Sequence, residues 1–144
     1  MAAFSEVKKT FLSAPKYAVV GASKDQTKFG TKVLKWYLAR NKDVTPIHPV
    51  LPTRPFAYPG IATLRALADL PDPKHTSVSV ITPAKVTLGI LEQAKELQIP
   101  ALWLQPGAED EAVVKYIKEN LADRVIYGGP CILVEGDSIL RSLL

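Results

Sequence analysis

The turn after the first apolar run, Val19-Val20-Gly21-Ala22-Ser23, continues through Lys24-Asp25-Gln26-Thr27-Lys28-Phe29-Gly30. A glycine at this place lets the backbone approach an anion. The helix behind it offers free N–H groups and the positive end of its dipole. Ser23 adds a hydroxyl donor, and Lys24 and Lys28 add charge. The spacing is G-x-S-x6-G. That is neither the dinucleotide fingerprint G-x-G-x-x-G nor a Walker A loop, which needs G-K-[ST]. The turn reads as a phosphate cradle or, more plainly, as a Gly-Ala-Ser turn that caps a helix.

Four further places carry chemistry. The second apolar run ends Val44-Thr45-Pro46-Ile47-His48-Pro49, with no acid. An Asp or Glu here holds the ribose diol of NAD, so NAD is disfavoured. His48 is left to meet an adenine, a ribose or a phosphate, or to be a plain packed or solvent-exposed histidine. Arg54 either reaches a further phosphate or stays in solvent. Ile81-Thr82-Pro83 closes the third run, across from the first turn, where open α/β sheets bind ligands. Leu102-Trp103-Leu104-Gln105-Pro106-Gly107 closes the fourth. There Gln105 can orient a polar group and Gly107 allows a close turn, while Trp103 reads as core. Cys131 follows Gly128-Gly129-Pro130 and is either an inert buried thiol or a thiol beside the pocket.

No catalytic set assembles from these residues. There are two histidines, His48 and His75, and His75 lies in a polar turn. Asp25 is the nearest acid to the strand-end turns. Ser23 lacks the nucleophile elbow G-x-S-x-G, and metal-ligand spacing is absent. Binding without a reaction is the simplest reading.

The elements that must position these residues follow from periodicity. Short β-branched runs at Tyr17–Val20, Val44–Ile47, Ser77–Ile81, Ala101–Leu104 and Val125–Tyr127 lack polar alternation and predict parallel strands covered on both faces. Helical stripes lie between them: Val33, Leu34, Tyr37 and Leu38; then Val86, Ile90, Leu91, Ala94 and Leu97; then Val113, Val114, Ile117 and Leu121. Thr82–Pro83 predicts an N-cap followed by proline at the first helical position. Glu109, Asp110 and Glu111 place acids at the start of the last stripe. A leading helix is expected over about Phe4 to Leu12. Ile132–Val134 reads as a last strand-like piece, followed by a turn at Gly136–Asp137 and a tail. Seven of the twelve prolines fall between Pro46 and Pro73, which leaves room only for a short helix at Thr63–Leu70; the stretch reads either as a rigid pocket wall or as a surface loop without function. The sum is an α/β, doubly wound, three-layer parallel sheet of about five strands.

Composition agrees. The 144 residues, 47% hydrophobic and 22% charged, suit a single domain over 1–144 with a short N-terminal helix. One cysteine builds neither a disulfide framework nor a Cys-rich zinc site. No run of about 18 apolar residues exists, so no membrane partner is expected. The N-terminus lacks a signal peptide's apolar core, and a cytoplasmic location is the default. The net charge of +4 is scattered, unlike a nucleic-acid footprint, and suits a small anionic ligand.

The series Tyr17-Ala18-Val19-Val20-Gly21-Ala22-Ser23, Pro46-Ile47-His48-Pro49, Ala101-Leu102-Trp103-Leu104-Gln105-Pro106-Gly107 and Gly129-Pro130-Cys131-Ile132 resembles the small stand-alone CoA-binding proteins. These are similar to the N-terminal CoA-binding domain of the succinyl-CoA synthetase α subunit. The resemblance runs from about Lys16 to Glu135, and the W-L-Q-x-G piece is its most specific part. It implies a Rossmann-like domain with coenzyme A or an acyl-CoA over the first turn and its phosphates near Gly21, Ala22 and Ser23. It implies further contacts from His48, Pro49, Ile81, Thr82, Pro83, Gln105 and Gly107. The synthetase's phosphorylated histidine belongs to a second domain and is not carried over. This chain departs from the bacterial pattern at His48, where those members have Asn, and at Gly129-Pro130, where they have Asp-Arg before the cysteine. A binding module is thus expected. The alternatives are a small NAD(P)- or CoA-dependent enzyme and a regulatory subunit whose protein partner supplies the chemistry; association with a protein partner or as a homodimer stays open.

Overall fold

The computed structural model describes residues 5–21, 29–47, 56–58, 61–62, 64 and 66–143. In chain order, α1 (Ser5–Leu12) leads into β1 (Lys16–Val20), α2 (Phe29–Ala39) and β2 (Val44–Ile47). Two very short strands, β3 (Phe56–Tyr58) and β4 (Ile61–Ala62), pair antiparallel, and two 3₁₀ turns follow at Leu67–Asp69 and Pro73–His75. Then come β5 (Thr76–Val80), α3 (Ala84–Leu97), β6 (Ala101–Leu104), α4 (Glu111–Asn120), β7 (Val125–Ile126) and α5 (Ile132–Ser142).

The main sheet has five strands in the order β2-β1-β5-β6-β7, every pair parallel. The order reverses between β1 and β5, which makes the domain doubly wound and Rossmann-like. Burial explains why the strands read as unbroken apolar runs. Ala18, Val20, Val78, Val80, Leu102 and Leu104 pack under Ile90, Leu91 and Ala94 of α3 and Val113 and Ile117 of α4. On the other face, Tyr17, Val19, Ala101, Trp103 and Ile126 meet Phe11 of α1, Val33, Leu34 and Tyr37 of α2, and Ile132 of α5. Both faces are covered, so neither needs polar residues. The two buried serines of β5 are satisfied internally: Ser77 Oγ donates to the Phe11 carbonyl at 2.8 Å, and Ser79 Oγ lies 2.7 Å from the Tyr37 hydroxyl. Pro46 is tolerated because β2 is the edge strand; its carbonyl accepts from the Leu64 N–H at 3.0 Å.

Four expectations from sequence change. Ile132–Val134 is not strand-like and Gly136–Asp137 is not a turn; both lie inside α5. Tertiary packing overrides the β-branched bias, because Ile132 and Gly136 share a buried face against the rest of the domain. The N-cap of α3 is Pro83, one residue later than expected, and Thr82 instead hydrogen-bonds Thr87 Oγ1 at 2.7 Å. Glu109 stands outside α4, whose N-cap is Asp110, accepting from the Val113 N–H at 2.9 Å. The proline-rich stretch contains the β3–β4 pair, and its short helix is the 3₁₀ turn at Leu67–Asp69. No described helix is long and apolar enough to cross a membrane.

Candidate functional site

The hydrogen-bond ladder runs one residue past each central strand. Gly21 N–H donates to the Ile47 carbonyl at 2.9 Å, Ile81 N–H to Val20 at 2.9 Å, and Gln105 N–H to Val80 at 3.1 Å. Gly21, Ile81 and Gln105 are thereby set in a row along the carboxyl edge of the sheet, across the point where strand order reverses. Open α/β sheets bind ligands at this edge.

Gly21 takes φ +108°, and a Cβ there would lie 2.2 Å from the Ile81 carbonyl oxygen. The close approach that demands glycine is therefore between β1 and β5 themselves. Next to it, Ile81, Thr82, Pro83, Pro106, Gly107 and Ala108 line a cleft of about 270 Å³. Gly107, at φ +94°, turns the chain at its rim. Larger hollows of about 620 Å³ along α4 and about 430 Å³ between α1 and the Pro73–His75 turn lie elsewhere. The first is lined mainly by charged helix side chains, and the second sits at the amino ends of the strands. Size alone favours those hollows, but topology and backbone geometry favour the small cleft.

Gln105 is fully buried. Its Oε1 accepts from the Ile132 N–H at 3.0 Å, which fixes the orientation of the amide, since an N–H can only donate. Its Nε2 has no hydrogen-bond partner among the described residues. A buried donor left unmade costs about 1–3 kcal/mol, so this amide asks for an acceptor. Trp103 is core, as expected, yet its indole Nε1 donates to the Pro130 carbonyl at 3.0 Å. Glu109 Oε1 accepts from the Gly128 N–H at 2.8 Å. Together these side chains pin the β7–α5 connection, with Gly128 at φ +88° and Gly129 at φ +118°, over the strand ends. Cys131 is half-buried at the N-cap of α5, adjacent to the residue that Gln105 holds.

Of the residues singled out from sequence, Gly21, Ile81, Thr82, Pro83, Gln105 and Gly107 gather at this edge, and Cys131 joins it through the Gln105–Ile132 bond. Ala22, Ser23, Lys24, Lys28, His48, Pro49 and Arg54 lie outside the described residues. Sequence reasoning missed the bracing role of Glu109, which looked like a helix-start acid; nothing local signals its partner at Gly128. Among the described residues no cluster of metal-binding side chains forms.

The solved structures most useful for comparison are small proteins. A conserved hypothetical protein from Pyrococcus furiosus is 32% identical, with a TM-score of 0.69 over 83% of this chain and 97% of its own. A hypothetical protein from Pyrococcus horikoshii is 24% identical with a TM-score of 0.77, covering 94% of this chain and 90% of its own. A Thermus thermophilus protein, also 24% identical, gives 0.76 over 93% of this chain and 96% of its own. No curated protein matches the chain. The family model described as CoA binding domain matches residues 15–137, and the chain belongs to that family.

Proposed function

We propose that the chain binds coenzyme A or an acyl-CoA across the carboxyl ends of β1, β5 and β6 and acts as a binding module without chemistry of its own. The family match over residues 15–137 carries this reading. The residues present fit such a ligand in one specific respect. The Gln105 amino group, without a partner among the described residues, is a buried donor behind the ligand edge, and coenzyme A is rich in acceptor oxygens on its phosphates and pantetheine carbonyls. In this reading Ser23, Lys24, Lys28 and Arg54 supply hydroxyl and cationic partners to the phosphates, and His48 and Pro49 face the nucleotide end. The described side chains at the cleft are a threonine and apolar groups, with a glutamine and a cysteine behind them.

Isothermal titration with CoA, acetyl-CoA, NADH and NADPH tests the reading. Saturable binding of CoA or acetyl-CoA near one per chain is the expected result. Saturable NADH binding with none for either CoA species would overturn it.

A further inference from the structure

Gln105 adds a side-chain tie from the end of β6 to the first turn of α5, beside the Trp103–Pro130 bond. Its backbone N–H belongs to the sheet, bonded to Val80, and its side-chain oxygen holds the first N–H of α5. That N–H is one of the helix's orphan donors, and Cys131, the N-cap residue, makes no side-chain bond to serve them. Gln105 therefore substitutes for a local cap from 27 residues away. Because the oxygen is committed to α5, the amino end of the same rigid amide is fixed in direction, fully buried and unpartnered among the described residues.

We infer that Gln105 is a two-ended bridge: its oxygen caps α5 while its amino group donates to an acceptor oxygen of the bound ligand, so that ligand binding and the docking of α5 reinforce each other. The inference rests on the reading of this edge as a CoA site and adds a coupled element to it. When α5 is docked, the amide is held in one orientation and the direction of its donor is fixed. When α5 is loose, the amide is free to turn and the ligand loses a partner. A ligand that uses the donor must then favour the docked helix, and the docked helix must favour the ligand by the same factor.

Gln105→Glu separates the two ends. At pH 8 an ionised carboxylate still accepts from the Ile132 N–H, and negative charge suits a helix N-terminus, but nothing remains to donate. CoA affinity by titration should fall about 10-fold or more, as expected for one lost hydrogen bond, while α5 in the ligand-free variant keeps the hydrogen-exchange rates of the ligand-free wild type. In the wild type, CoA should slow exchange in the first turn of α5 about 10-fold and shift the Gln105 side-chain NH2 resonances; the variant should lose that protection. Wild-type CoA binding that leaves both the α5 exchange and the Gln105 resonances unmoved overturns the inference and leaves the site reading intact. So does a folded Gln105→Glu that binds CoA as tightly as wild type. A wild type that binds no CoA removes the site reading, and the bridge falls with it. The wild-type exchange measurement stands even if the variant folds poorly.

Discussion

Gly21 shows how a residue singled out for one reason can be required by the fold for another. A glycine at the end of the first strand suggested close approach to a phosphate. In the structure the space beside it is taken by the Ile81 carbonyl, 2.2 Å from where a Cβ would sit, and the backbone is left-handed at φ +108°. Gly21→Ala therefore meets two costs together, strain at positive φ and a clash with backbone that cannot rotate away. We expect it to lower stability by about 1–3 kcal/mol and to weaken CoA binding by parting the exits of β1 and β5. Urea unfolding and titration measure the two effects; a wild-type midpoint would show that the strand exits can relax. Gln105 was legible as a polar residue at a strand end. Its orientation was not, because that depends on an N–H 27 residues further along the chain.

Among the elements, α5 is the one the sequence misplaced, and its packing explains the error. The run Ile132-Leu133-Val134 reads equally as strand or helix, and local pattern cannot decide between them. What decides is the match to α1 and α2. Lys8 bonds Glu135 at 2.6 Å, and Arg40 grips Asp137 through two bonds of 2.6 and 2.8 Å while its guanidinium lies 4.3 Å from the Trp36 ring centroid. The Arg40 hydrogen bond holds the Asp137 carboxyl below the usual carboxylate range, although an exposed pair of this kind adds little stability. The firmer lock is Gly136, which leaves room for Trp36; an added Cβ would stand 2.3 Å from its Cζ2. Alanine would gain about 1 kcal/mol of helix propensity but overpack the notch at a cost of about 1–3 kcal/mol. We therefore expect Gly136→Ala to destabilise the domain by up to about 2 kcal/mol, read as a lower thermal midpoint. A variant more stable than wild type would show that Trp36 has room to move. The β3–β4 pair escaped the sequence for another reason: strands of three and two residues among prolines are too short to show a period.

At the scale of the molecule, the five strands and the doubly wound order were legible because a sheet buried on both faces leaves an unmistakable apolar run at each strand. The polar interior was not, since no pattern announces which hydroxyls meet across layers. Tyr17 and Tyr37 stack with ring centroids 4.9 Å apart, and Phe11 links Tyr17 to Trp103 at 6.0 and 5.6 Å. This aromatic layer joins α1, α2 and the sheet, and it makes stability depend on alkaline pH. Burial pushes the Tyr17 phenol up to about 12. Burial also raises Tyr37 well above its ordinary value, against the opposing effect of its hydrogen bond to Ser79. A phenol whose pKa is higher folded than unfolded prefers to stay neutral in the fold. Its contribution is therefore complete below the unfolded value of about 10 and is lost as pH rises from there toward 12. Of the five tyrosines, Tyr17 and Tyr37 should form phenolate only as the fold is lost. Absorbance at about 295 nm, followed with near-ultraviolet circular dichroism, checks this: their phenolate signal should rise together with the loss of tertiary signal. Tyr17→Phe removes a buried hydroxyl with no partner among the described residues, so it should shift alkaline unfolding to higher pH. Full phenolate formation near pH 10 with the tertiary signal intact would show that the layer admits water, and that these two phenols do not set the alkaline limit of the fold.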